Sequence, residues 1–208
     1  MTNKVTLPEP TLILLAGISA TGKTTTGKPV ARAIYDTLYV DKDIVNETFL
    51  MTPDPADSGI DTYRLSGSKL LRSTEHYKRN VGLQSYQLML ELARDNIIDG
   101  KHPILDGNYT KEIRRGYIER VVNPFFANVD HRTKLIFCYA DEQTIRDRIR
   151  KRAALERDTD KMTDEGWQKL MQEQPILPPE LEKYDHVKID TTRPVAECVQ
   201  RSIDYLMA

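Results

Sequence analysis

Net charge is nearly absent: 30 Lys+Arg stand against 31 Asp+Glu, a formal charge of −1 over 208 residues. No global field of one sign exists to coat nucleic acid or an anionic membrane, although a local basic groove can hide inside a neutral sum. Cysteine is scarce. Cys138 and Cys198 form no CxxC or Cys/His cluster, so no zinc framework is implied. Cys138 sits in an apolar run and reads as core. With no secretory signal, no disulfide is expected. No apolar run approaches the roughly 20 residues of a membrane span, and Leu12–Ala16 is too short for a signal-peptide core. The cytoplasm is the default location. Repeats and low-complexity tracts are missing. What remains is 39% apolar and 29% charged residues, enough for a sizeable core and incompatible with wholesale disorder.

Short apolar runs alternate with longer helical stretches. Leu12–Ala16, Leu38–Val40, Pro103–Leu105, Leu135–Tyr139 and Val187–Ile189 read as five strands. Continuous apolar strands separated by helices imply α/β architecture, with a parallel sheet covered on both faces. The strongest helix lies between Tyr77 and Asp99, with Val81, Ser85, Leu88, Leu92 and Ile97 or Ile98 on one face and Gly100 as its stop. A last helix starts near Pro194, with Thr192 close by as a cap. Pro29 falls inside the first helix and should kink it. The length suits one domain over residues 1–208, with two long non-core segments, about 51–80 and about 146–185, read as an acceptor-side insert and a lid.

Gly17-Ile18-Ser19-Ala20-Thr21-Gly22-Lys23-Thr24 matches G-x-x-x-x-G-K-[ST]. Glycines permit a loop whose amides turn inward onto phosphate oxygens. Lys23 then reaches the β and γ phosphates, and the Thr24 hydroxyl takes a Mg²⁺ position. The motif follows a strand and opens a helix, whose positive dipole end faces the same anion. Composition alone would produce the pattern in roughly 0.4% of such chains. Gly17, Ser19, Ala20, Thr21, Gly22, Lys23, Thr24 and Thr25 are therefore the candidate nucleotide-binding residues. Asp41 and Asp43 lie where a dinucleotide fold keeps an acid for ribose, but that fold needs G-x-G-x-x-G, which this loop lacks. The Lys-Thr pair favours a nucleoside triphosphate.

A GTPase would need an N-K-x-D element, and Asn3-Lys4 precedes the first strand. Asp41-Lys42-Asp43 follows the second strand, where an acid can activate an acceptor hydroxyl. Arg146, Arg148, Arg150, Arg152 and Arg157 form a basic run that can neutralise a transferring phosphoryl, which is what this chemistry needs. Competing structural roles exist for each. Asp43 also suits a helix cap before Ile44–Phe49. Asp106 suits a turn in Asp-Gly-Asn. The arginines suit a solvated helix face paired with Asp147 and Glu156. Trp167 reads as packing, and His102, His131 and His186 as solvent-facing strand starts.

The GISATGKT loop, Lys42-Asp43 with Asn46-Glu47, Ile104–Asn108, Arg148-x-x-x-Arg152 and Ile189–Thr192 together resemble the AAA_33-type P-loop kinases, a group that includes the polynucleotide kinase domain and is related to zeta toxins. The resemblance spans nearly the whole chain. It implies a five-stranded parallel sheet of nucleotide-kinase type with an arginine-bearing helical lid. It further implies an ATP- and Mg²⁺-dependent transfer of the γ-phosphate to a hydroxyl of a small molecule. Lys23, Arg152 and Arg148 would hold phosphates, with Thr24 on the metal. Asp43 would be the general base, and Asp106, Asn108 and Tyr109 would join it toward the acceptor. Arg64, Arg72, His76 and Arg79 would shape the acceptor side. The family often carries Arg three residues after the base, and here that residue is Asn46, which points away from a phosphorylated nucleotide or a nucleic-acid end as acceptor. A 5′-hydroxyl nucleic-acid kinase and a nucleotide-dependent regulatory or toxin-like module are the alternatives. Asp41 with Asp43 also resembles the D-x-D of shikimate kinases, but Asp106-Gly107-Asn108 supplies no glycine-rich element.

Overall fold

The computed structural model describes residues 4–51, 75, 77–156 and 163–208. Five parallel strands, β1 (Thr11–Ala16), β2 (Tyr39–Asp41), β3 (Ile104–Asp106), β4 (Arg132–Tyr139) and β5 (His186–Asp190), lie in the order β2-β3-β1-β4-β5. All six residues of β1 are buried, because it is central and helices cover both faces. Its side chains alternate. Leu12, Leu14 and Ala16 enter one core with Met89, Leu90, Ala93 and Ile97. Ile13 and Leu15 enter the other with Val30, Ile34, Cys198, Ile203 and Leu206.

The helices are α1 (Lys23–Ala33), α2 (Lys42–Leu50), α3 (Gly82–Ile98), α4 (Thr110–Arg114), α5 (Asn123–Phe125), α6 (Glu142–Glu156), α7 (Asp164–Glu173) and α8 (Val195–Met207). Among the described residues none is long and apolar enough to cross a membrane. A third, smaller cluster of Ile18, Ala20, Ala140, Ile145 and Trp167 joins the loop after β1 to α6 and α7. Trp167 is packing, as expected.

The expected strands all form, and three of them end later than the apolar runs do. β2, β3 and β5 each end on an aspartate, Asp41, Asp106 and Asp190. Hydropathy stops at the last apolar residue, but backbone pairing continues, with Asp41 opposite Asp106 and Tyr139 opposite Asp190. The acids therefore stand at the carboxyl ends of the strands, where the order switches between β3 and β4 around β1 and a crevice opens.

Three local expectations fail. The Tyr77–Asp99 helix starts as a π-helical turn, Tyr77–Val81, before α3. Its buried row steps by four through Val81, Ser85, Met89, Ala93 and Ile97, and Leu88 and Leu92 are exposed. Small Ala93 lets the helix approach the sheet, and the leucines one position earlier are turned about 100° away. Pro29 lies inside α1, as expected, and removes one hydrogen bond to the Thr25 carbonyl while the helix continues to Ala33. Thr192 does not cap α8: its amide and hydroxyl both go to the Asp190 carboxylate, and Pro194 holds the cap position. His102 is buried, not solvent-facing, and its Nδ1 has no partner. Burial holds its pKa below the usual histidine value, with the Asp36 charge opposing.

Candidate active site

The loop after β1 is fixed by its backbone. Gly17 (φ +133°), Ala20 (+64°) and Gly22 (+83°) take positive φ. A Cβ on Gly17 would sit 2.2 Å from the Cys138 carbonyl oxygen, so no side chain fits. Thr21 is buried, and its hydroxyl donates to the Ile18 carbonyl at 2.8 Å. Lys23 Nζ donates to the same carbonyl at 3.0 Å. The loop is stitched to the end of β3 by Gly17 N–H to the Asn108 carbonyl and Gly107 N–H to the Leu15 carbonyl.

α1 starts at Lys23 with no side-chain cap and no acid in its first turn. α2 and α7, by contrast, are capped by Asp41 and Thr163 and carry acids there. The exposed N–H groups and positive dipole end of α1 are thus left for an anion.

A cleft of about 310 Å³ lies over this helix start. It is lined by the loop and helix-start residues Ser19, Ala20, Gly22, Lys23, Thr24 and Thr25, by Arg152, and by Asp41, Lys42, Asp43, Asn46, Tyr77, Gly107 and Asn108. Asp106 lines it too and is buried. Its Oδ2 accepts from Thr24 Oγ1 at 2.8 Å and from the Tyr39 hydroxyl at 2.6 Å. Burial raises the Asp106 pKa, against the pull of Lys23 and both hydrogen bonds. Burial lowers the Lys23 pKa, and the Asp106 charge opposes it. Two opposite charges enclosed next to a helix N-terminus form a site poised for a polyanion with its counter-ion.

The four described arginines of the run do separate jobs. Arg152 is exposed and lines the cleft. Arg148, expected beside it on the phosphates, is bonded elsewhere: it donates to the Ala20 carbonyl (3.2 Å), Thr191 Oγ1 (3.0 Å) and the Thr191 carbonyl (2.7 Å). Thr191 in turn donates to the Thr21 carbonyl at 2.7 Å. Arg148 thereby ties the loop to the end of β5. Arg146 pairs with Glu142 and Asp164 and lies 5.1 Å over the Trp167 ring. Arg150 pairs with Asp147. Arg157, Arg64, Arg72 and His76 lie outside the described residues, and Arg79 is exposed, ion-paired with Glu75.

At the start of α2, Asp41 caps the helix by accepting from the Asp43 amide at 2.9 Å, which leaves Asp43 in the first turn and among the residues lining the cleft. Asn108 lines the cleft, with its amide donating to Gln174 Oε1. Tyr109 does not reach it. Its ring is buried and packs against Tyr86 and Tyr117, because a positive φ (+50°) at the start of α4 turns it into the core. Gly17 and Thr21 shape the loop without lining the cleft. Tyr39, Tyr77 and Thr191 were missed by the sequence reading. Tyr39 precedes Asp41 by two residues in β2, a spacing that puts both on one sheet face and was the available signal.

The sheet order, the glycine-bent loop after the central strand and the acids at the ends of β2 and β3 define a P-loop nucleotide-kinase fold. The chain belongs to the AAA_33 family, whose model (AAA domain) matches residues 12–175. No curated protein sequence matches it significantly. Among solved structures it is similar to a presumptive kinase from Chloroflexus aurantiacus J-10-fl (17% identity, 95% of this chain and 98% of that one, TM-score 0.66). It is also similar to a sugar kinase from Janibacter sp. HTCC2649 (16%, 96% and 95%, TM-score 0.54). A third is a gluconokinase from Sinorhizobium meliloti 1021 (14%, 97% and 93%, TM-score 0.52). At these identities the likeness is one of fold.

Proposed function

We propose that the protein is a phosphotransferase that uses ATP and Mg²⁺ to phosphorylate a hydroxyl of a small-molecule acceptor. The observation that carries this reading is one cleft whose lining brings Lys23, Thr24 and Arg152 together with Asp43 and Asp106. Family membership supports the nucleotide.

The residues fit both groups. The Gly17–Thr24 loop has the positive-φ backbone that aims amides inward, and α1 offers its uncapped start. Among the described residues no cluster of three or more His, Cys, Asp or Glu could hold a metal. One hydroxyl and one carboxylate, Thr24 and Asp106, are what Mg²⁺ takes from a protein when it shares its shell with phosphates and water. Bound Mg·ATP supplies the phosphoryl group and a counter-charge.

The chain's own residues supply positioning and charge. The loop amides and Lys23 hold the phosphate oxygens, and Lys23 gives up its bond to the Ile18 carbonyl to do so. Arg152 closes the donor end with a charge that is worth most where the transferring group becomes electron-rich. Asp43 accepts the proton of the attacking hydroxyl. Asp106 keeps Thr24 oriented.

The test is ADP release from Mg·ATP across sugars, nucleosides, nucleotide sugars, aminoglycosides and a 5′-hydroxyl oligonucleotide. One acceptor should raise turnover well above the water background, and Asp43→Asn should remove that gain by about 10²–10⁴-fold. If no acceptor stimulates turnover and Asp43→Asn changes nothing, the phosphotransferase reading is wrong.

A further inference from the structure

The backbone around Asn108 is held by bonds that do not involve its side chain. The Asn108 carbonyl accepts from the Gly17 amide at 3.0 Å, which fixes it beside the loop after β1. The end of α7 meets it from the lid side, and that end is held independently too. Arg114, on α4, donates to the carbonyls of Gln172 and Glu173 at 2.8 Å each, and Lys111 pairs with Glu173. A helix end leaves such carbonyls without an intrahelical partner, and a cation suits that end of the dipole. Gln174, the residue that closes α7, therefore reaches Asn108 without its own side chain being needed to hold the helix.

The side-chain bond between the two acts instead on the plane of the Asn108 amide. The Thr110 amide can only donate, so the atom 3.3 Å from it is Asn108 Oδ1, and Nδ2 faces Gln174 Oε1. A bond of 3.3 Å holds an amide loosely by itself. Gln174 adds a second point, and two points fix the plane. Nδ2 carries two hydrogens. One goes to Gln174, and among the described residues no group takes the other. Asn108 lines the cleft, so the group it has left for an occupant is an N–H, not a carbonyl.

We infer that Gln174 is a positioning residue for the transfer: it turns the Asn108 amide so that Nδ2 donates to an oxygen of the acceptor other than the one that reacts at Asp43. This rests on the phosphotransferase reading above and adds a requirement to it. A fixed N–H serves a hydroxyl, carbonyl, carboxylate or phosphate oxygen alike. It disfavours an ammonium or an apolar group at that point, because its own donor is then stranded.

The probe is whichever of D-glucose, D-gluconate, thymidine, kanamycin and a 5′-hydroxyl oligonucleotide gives the highest Mg·ATP turnover. Its KM and kcat are measured with the wild type, Gln174→Met, Gln174→Glu, Asn108→Ala and the double variant, alongside Mg·AMP-PNP binding and urea unfolding. Gln174→Met should raise KM by about tenfold, the worth of one hydrogen bond, with kcat and the Mg·AMP-PNP Kd within about threefold of wild type. Gln174→Glu keeps an oxygen for Nδ2 and should hold KM within about threefold. Asn108→Ala removes the donor and should raise KM at least as far. On that background Gln174→Met should change nothing further, because it acts through Asn108. An unchanged KM in Gln174→Met, an equal loss in Gln174→Glu, or the same loss with and without Asn108 overturns the inference. If Gln174→Met fails to fold, Asn108→Ala decides, and an unchanged KM there overturns it. In each of these cases wild-type turnover leaves the phosphotransferase reading intact. If no compound turns over, the reading and the inference fall together.

Discussion

The donor and acceptor ends that the proposed function gives the cleft are built on different principles. The donor end is backbone: three residues with positive φ, an uncapped helix start, and side chains of Thr21 and Lys23 turned back onto the Ile18 carbonyl. The acceptor end is side chains, Asp43, Asn46, Tyr77 and Asn108, gathered from α2, the π-helical turn and the end of β3. Backbone geometry admits few sequences and serves any polyphosphate. Side-chain geometry admits many and serves a particular molecule. The contrast predicts which substitutions break everything and which merely change the substrate.

The largest effect should come from Gly17→Val. The new Cβ collides with the Cys138 carbonyl, 2.2 Å away, at a φ of +133°. Backbone strain and overpacking together should cost about 3 kcal/mol or more. Urea unfolding and nucleotide titration should both register it; a stable variant that still binds nucleotide would show that the loop is looser than its geometry says.

The two arginines separate next. Arg148→Met removes three hydrogen bonds that tie the loop to Thr191. It should destabilise the fold by about 2 kcal/mol and weaken nucleotide binding. Arg152→Met, at an exposed position, should leave unfolding unchanged and lower kcat by about 10²–10³-fold. The reverse pattern would exchange their roles.

The reason these roles were not legible in the chain is instructive. Arg148 and Arg152 share one side of α6 by spacing, but Arg148 is placed by Thr191, 43 residues away. The P-loop was legible because its constraint is local: glycine where a Cβ cannot go. The strands were legible from apolar runs, short by one residue at the carboxyl ends of β2, β3 and β5, where that residue is an aspartate. Tyr109 was misread because adjacency to Asp106 in sequence does not survive a positive φ, which sends its ring into the core.

Tyr39→Phe sharpens the junction between the two ends. It removes the 2.6 Å bond to Asp106 Oδ2 and should cost about 1 kcal/mol. Groups that orient metal ligands are worth about 10–100-fold in metal affinity, so the Mg²⁺ concentration needed for nucleotide binding should rise by that order. An unchanged Mg²⁺ titration would remove Tyr39 from the site.

The smallest effect lies far from the cleft. His102 is held neutral by burial, with its pKa lowered. The unfolded chain takes up the proton first as pH falls below about 6.5. Stability should therefore decline with pH from about 6.5 down to the lowered folded value, and His102→Gln should flatten that slope. Identical slopes would show that other groups set the acid limb.

The division of the cleft is tested most directly by calorimetric titration of ATP, with Mg²⁺, into the wild type, Lys23→Met and Asp43→Asn. Losing the charge-assisted bonds of Lys23 should weaken binding by about 10–150-fold, while Asp43→Asn should bind as the wild type does. Equal losses in both variants would contradict the separation of donor and acceptor ends on which the account rests.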